Sequence, residues 1–196
     1  MPTGLFSSRC PIASYEQEEL LKQFTTLAEA TGGQLDPQAL RLSERMQTLI
    51  SNLRWHNLTG NIHLRRSWAT VVEIRLHLPK PVSGQVRLGN VYGETSGTPL
   101  MGAPRLESNW PTTSLSELFP PNRYWQLASA REPFMLLIQH NGISLNTYRF
   151  YQSDFYLAAL TYLAGLAEQV MLLHPPLQQC SSRITQVQLP WMKEIP

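Results

Sequence analysis

From position 69 to 78 the chain alternates without a break. Val72, Ile74, Leu76 and Leu78 fall on one parity, and Val71, Glu73, Arg75 and His77 on the other. Successive side chains of a strand point to opposite faces, so the pattern predicts a strand with one face on a core. Its other face meets water or a partner. Residues 14–31 change period. Leu20, Phe24, Leu27 and Ala28 form one helical stripe, while Glu16, Glu19 and Lys22 look outward. Ser14 with Gln17 three residues on reads as a capping box, and Gly32-Gly33 as the stop.

Other segments are less regular. Asp36 and Pro37 suit the start of a second helix over 37–50, with Leu40, Met46, Leu49 and Ile50 as its apolar positions. The Leu-Arg-Leu at 40–42 equally allows a strand to begin there. Residues 53–64 read as extended, with Gly60 marking a bulge or a close backbone approach. After a short apolar piece at 85–88, residues 89–121 are rich in Gly, Pro, Ser and Thr. They are expected to form a long surface segment with one helical turn at 114–119. Residues 124–130 suggest a strand. Residues 134–140 and 143–150 are joined by Asn141-Gly142, a strong hairpin signal through a type I′ turn. Ser153 or Asp154 then caps an apolar helix running to 173, and Pro175-Pro176 ends it. Residues 1–13 and 177–196 read as extended tails. The second of these holds a short apolar stretch that could add a last strand, or be laid on a neighbour through Trp191.

The order of elements lacks the βαβ alternation of a parallel sheet. It fits a single α+β domain over 1–196: a mainly antiparallel sheet, N-terminal helices, and one long apolar C-terminal helix packed on one face. The chain has 196 residues, 42% apolar and 15% charged, enough to bury a core without disulfides or a metal. Cys10 and Cys180 stand far apart and outside any zinc-ligand spacing, which suits a reducing, cytoplasmic compartment. The N-terminal residues show no basic and apolar regions of a secretory signal. Residues 155–173 approach the length of a membrane span, but Glu168 and Gln169 lie within them and no basic cluster follows. A buried core helix is the simpler expectation, with no membrane span.

Candidate chemistry is sparse. The chain has only two aspartates, Asp36 and Asp154, and both fall where helix caps are expected. Magnesium-dependent phosphoryl transfer and glycoside hydrolysis both need converging carboxylates. No nucleophile elbow and no phosphate-binding glycine motif occurs. His63 and His77 could be neighbours on adjacent strands, but nothing completes a metal or acid–base site around them. The inventory points away from an enzyme and implies no cofactor.

Charge adds one positive feature. Residues 1–40 are acidic, whereas 41–123 are basic. Arg54, Trp55, His56, His63, Arg65, Arg66, Trp68, Arg75 and His77 gather within this basic stretch. Exposed arginine beside tryptophan can hold acidic groups or stack on bases. The reading that follows is a non-enzymatic adaptor or assembly module. It docks a protein partner, or its own copy, through an exposed basic and aromatic sheet face. Two alternatives remain: nucleic-acid binding through the same patch, and a small-molecule-binding domain or enzyme with a pocket between sheet and C-terminal helix, Arg75 and His77 at its mouth.

Overall fold

The structure is a computed structural model that describes residues 14–41, 43–66, 70–95, 98–128 and 132–194. Trp68, Cys10 and the N-terminal residues read as a tail lie outside the described residues. Helix α1 spans Ser14–Thr31 and ends at Gly32, whose φ of 63° is the left-handed stop expected of glycine. Strand β1 (Gln34–Leu35) follows, then β2 (Ser43–Trp55), β3 (Leu58–Arg66) and β4 (Thr70–His77). The chain continues through β5 (Val86–Thr95), β6 (Thr98–Ser108), α2 (Thr112–Leu118) and α3 (Pro121–Ala128). Strands β7 (Phe134–Gln139) and β8 (Gly142–Thr147) lead to α4 (Ser153–Leu173) and the short β9 (Thr185–Gln186).

All nine strands form one sheet in the order β1-β2-β3-β4-β8-β7-β5-β6-β9, antiparallel at every seam. The expected α+β architecture is present: an antiparallel sheet, an N-terminal helix and a long apolar C-terminal helix. Register explains where the core lies. Val72, Ile74 and Leu76 stand opposite Leu64, Ile62 and Gly60 on β3, and opposite Thr147, Leu145 and Ile143 on β8. Leu136 and Ile138 of β7 and Val86 and Leu88 of β5 continue that face. All these positions are buried. Helices α1 and α4 pack on this side, with α4 against β2, β4, β8, α1 and α2. Burying a Leu- or Ile-sized side chain contributes about 1.5–3 kcal/mol, so this face is the dominant stabilising element.

Helix α4 fills the role given to it. Tyr156, Ala159, Leu160, Leu163, Leu166 and Val170 are buried. The helix is also long and apolar enough to cross a membrane by length and composition. Neither proposed cap operates. Gln152 is the N-cap residue without a side-chain bond, and Asp154 lies in the first turn.

Four expectations need correction. Residues 37–50 are not a helix. Asp36 does cap, accepting from the Gln38 N–H at 2.9 Å, but only a single 3-10 turn over Pro37–Leu40. The chain then enters β2, where Asn52 takes a left-handed φ of 55° and the register with β3 shifts between Ile50 and Leu53. Such a shift disguises the two-residue period of a strand. Residues 89–121 are not a loop either. They carry most of the β5–β6 hairpin and α2, and they bury Leu106, Trp110, Leu115, Leu118 and Phe119. Where a strand was expected at 124–130, the described residues to Ala128 belong to α3, whose first residue, Pro121, suits the opening of a helix. Residues 177–194 are not an extended tail: the last strand that the sequence allowed there does form. Val187 N–H donates to the Leu106 carbonyl, β9 pairs with β6, and Leu189 is fully buried.

The β7–β8 hairpin forms, but its turn residues are His140 and Asn141, with Gln139 and Gly142 as the closing pair. Neither turn residue has a positive φ. Gly60 proves to be a close approach. A Cβ there would lie 2.1 Å from the Arg75 carbonyl oxygen.

Candidate functional site: the open face of the sheet

Opposite parity in each strand builds the second face. His63 stands across from Glu73, and Glu73 from Asn146. Asn61 stands across from Arg75, Arg75 from Ser144, and Ser144 from Leu137. The same row continues through Leu137 to Arg87 and on to Glu107. Arg65 pairs with Val71 at one end of this face, and Arg54 pairs with Thr59 at the other. Arg105, opposite Gly89, extends it onto β6. Five arginines and two histidines thereby share a surface with two glutamates. Arg54 and Arg105 are exposed, and His63, Arg65, Glu73, Arg75, His77 and Arg87 are half-buried.

Local bonds hold several of these side chains. Thr48 Oγ1 lies 3.2 Å from His63 Nδ1, and Thr59 Oγ1 lies 3.4 Å from His77 Nδ1. Arg75 Nη2 donates to Asn141 Oδ1 at 2.9 Å, which aims the guanidinium along the end of the sheet. Arg87 Nη1 lies 3.7 Å from Glu107 Oε2, and Arg87 Nε donates to Met135 Sδ at 3.0 Å. Burial holds the His63 pKa below its ordinary value; Glu73 opposes that shift, while Arg75 and His77 add to it. His63 is thereby kept neutral at a pH where a free histidine begins to charge. The Asn146 Oδ1 is buried without a partner. Among the described residues, no three His, Cys, Asp or Glu side chains converge as a metal site.

The residues singled out from the sequence divide between the two faces. Arg54, His63, Arg65, Arg75 and His77 lie together on the open face. Arg66 does not. It shares parity with Ile62 and Leu64, is 4% exposed, and donates from Nη1 to the Leu40 carbonyl oxygen. Its guanidinium also lies 5.6 Å from the Phe150 ring centroid. Arg66 thus ties the 3-10 turn and the aromatic core to β3, and it cannot reach a partner. Trp55 also belongs to the helix side, where it packs partly buried against the core. His56 sits in the β2–β3 turn with a φ of 52°.

Arg105 and Glu107 were missed because residues 89–121 looked like a loop, and Arg87 because the apolar piece at 85–88 was too short to place beside the other strands. The parity of Val86 and Leu88 carried the signal for Arg87.

A shallow cleft of about 480 Å³ lies elsewhere, between α1 and the β8–α4 connection. Glu19, Leu20, Gln23, Arg149, Phe150, Tyr151 and Gln152 line it. The Tyr151 ring stacks on Phe155 at 4.1 Å, and Arg149 both covers Tyr151 and pairs with Glu132 at 2.8 Å. This is not the sheet-to-helix pocket with Arg75 and His77 at its mouth, since those two residues face away from α4.

No protein-family model matches the chain, and no curated protein does. Among solved structures, the fold is similar to that of the mycobacterial trehalose monomycolate transport factor A, TtfA, with a TM-score of 0.53 and 11% identity. The match covers 79% of this chain and 96% of that one. At that identity the similarity concerns the fold.

Proposed function

We propose that the chain is a non-enzymatic interaction module that docks an acidic protein surface on the open face of its sheet. The observation behind this reading is the register. It brings Arg54, Arg65, Arg75, Arg87, Arg105, His63 and His77 onto one face, with Glu73 and Glu107 as the opposing charges. Half-buried arginines fixed by neighbours lose little side-chain freedom on binding, and their planar groups suit carboxylates. Leu137, half-buried between Ser144 and Arg87, supplies apolar contact between the charged rows. The structural neighbour is named a transport factor. That name is in keeping with a protein that acts by association.

Titration of the protein with a labelled glutamate-rich peptide tests this. Binding is expected, weakening as salt rises, because exposed charges are screened. Arg75→Glu together with Arg87→Glu should reduce affinity at least about tenfold, as close charge pairs couple by several kcal/mol when reversed. Unchanged affinity in that variant would overturn the reading. A duplex DNA of equal charge serves as the competing ligand. Tighter binding to DNA, with a steep salt dependence, would move the assignment to nucleic acid.

A further inference from the structure

The two sides of the molecule carry opposite charge. The helical side is acidic. Glu18, Glu19 and Glu29 of α1 and Asp154 and Glu168 of α4 are exposed, with Lys22 and Arg149, the latter paired with Glu132, as opposing cations. The other side is the arginine-rich sheet face. The sequence already separates these charges, since the acidic residues cluster before position 40 and the basic ones in 41–123.

Shape supports the same pairing. Between its charged ends, α4 exposes Ala158, Thr161 and Gly165, and a Cβ at Gly165 would meet nothing within 4 Å. Small residues let a helix axis come close to a packing partner. Leu172, 79% exposed at the C-terminal end of the helix, adds an apolar contact. An antiparallel sheet with one uncovered face is the natural counterpart of such a layer, because its first face already packs on α1 and α4.

We infer that the acidic partner of the open sheet face is the helical layer of a second copy of this chain. The inference rests on the interaction reading above and names its partner. The contact joins two different surfaces, so it is heterologous. The joined pair keeps one free sheet face and one free helical layer, and association continues into a ring or an open filament. Charge complementarity sets the register between copies, and the small-residue stripe of α4 permits close approach.

Sedimentation across protein concentration and ionic strength tests this, with charge reversals on each side. Wild-type protein at low salt, about 50 mM, should show an average mass that climbs with concentration above the 22.3 kDa of one chain. High salt should return it to that mass. The sheet variant Arg75→Glu/Arg87→Glu and the helix variant Glu18→Lys/Glu29→Lys/Glu168→Lys should each stay at one-chain mass. Mixing the two variants should restore association, because each then offers a face complementary to the other. All substituted positions are exposed or half-exposed, and circular dichroism verifies that both variants are folded.

A wild type that stays at 22.3 kDa at every concentration overturns the self-docking inference. So does association that neither reversal weakens, or that the mixture fails to restore. The labelled glutamate-rich peptide separates the two levels. A one-chain wild type that still binds the peptide, with binding lost in the sheet variant, retains the interaction reading and rejects only the second copy as partner. A wild type that neither associates nor binds the peptide rejects both.

Discussion

His63 on β3 and Glu73 on β4 face each other directly across the open sheet, with Arg75 and His77 as the next charged groups on that face. Burial is the largest influence on His63 and holds its pKa below 6.5. The unfolded chain therefore takes up a proton at this site before the folded one does. Stability carried by neutral His63 is fully present above pH 6.5 and is lost as pH falls through the folded pKa. Thermal melts between neutral and mildly acidic pH should show a steeper loss for wild type than for His63→Gln. Parallel curves would remove His63 from the account. An acidic ligand on the same face favours the charged imidazolium, so binding should tighten as pH falls and should take up a proton.

Leu163 is fully buried on α4. Leu163→Asp places an unpaired carboxylate in the core and should unfold the domain, at a cost above about 4 kcal/mol. Loss of the cooperative melting transition is the expected readout. A soluble variant with a wild-type melt would contradict the packing of α4 on the sheet.

Gly60→Ala tests the β3–β4 seam. The added Cβ would stand 2.1 Å from the Arg75 carbonyl oxygen and 3.0 Å from Leu76 Cδ2. The first neighbour is backbone and cannot swing aside, so the strands must part. A destabilisation of about 1–3 kcal/mol is expected in urea titration. An unchanged midpoint would show that the seam is looser than the register implies.

Gly165→Ala should act the other way. Its new methyl meets open space, and α4 gains helix propensity of about 0.5–1 kcal/mol. A raised melting temperature in one-chain conditions is the expected outcome.

Arg66→Ala removes a charged donor from the Leu40 carbonyl and the guanidinium from Phe150. Hydrogen bonds to charged groups contribute about 1.5–3 kcal/mol, and a loss of that order should appear in denaturant titration. Binding of the glutamate-rich peptide by the folded fraction should be unchanged, because Arg66 lies on the other face.

How far the fold could be read in advance depended on unbroken periodicity. The 69–78 alternation survives because every core position there is Val, Ile or Leu. The β2 strand was obscured because Leu40, Met46, Leu49 and Ile50 imitate a helical stripe, and the shift at Asn52 breaks the two-residue period. In β5 and β6, Gly89, Gly93, Gly102 and Pro104 suggest a loop, and the pairing that overrides them is tertiary. Tyr124 belongs to a segment that resembles a strand by composition, although Pro121 marks its helical start. The site was legible in part. Proximity in sequence gathered Arg65 and Arg66 together, whereas parity puts them on opposite faces, and Ile62 and Leu64 already told which one is buried. Arg87 and Arg105 could join the face only once β5 was known to lie beside β7.

The seam between β4 and β8 joins strands that are distant along the chain, with β5, β6 and β7 lying between them in sequence. The two halves of the sheet can therefore assemble separately from local hairpins, which close quickly, while their union must wait for long-range encounter. Helix α4, which lies over β2, β4 and β8, leaves the ribosome after all three of them. During synthesis the emerging protein holds paired strands whose apolar face only α1 can cover, until the chain beyond β8 delivers α4.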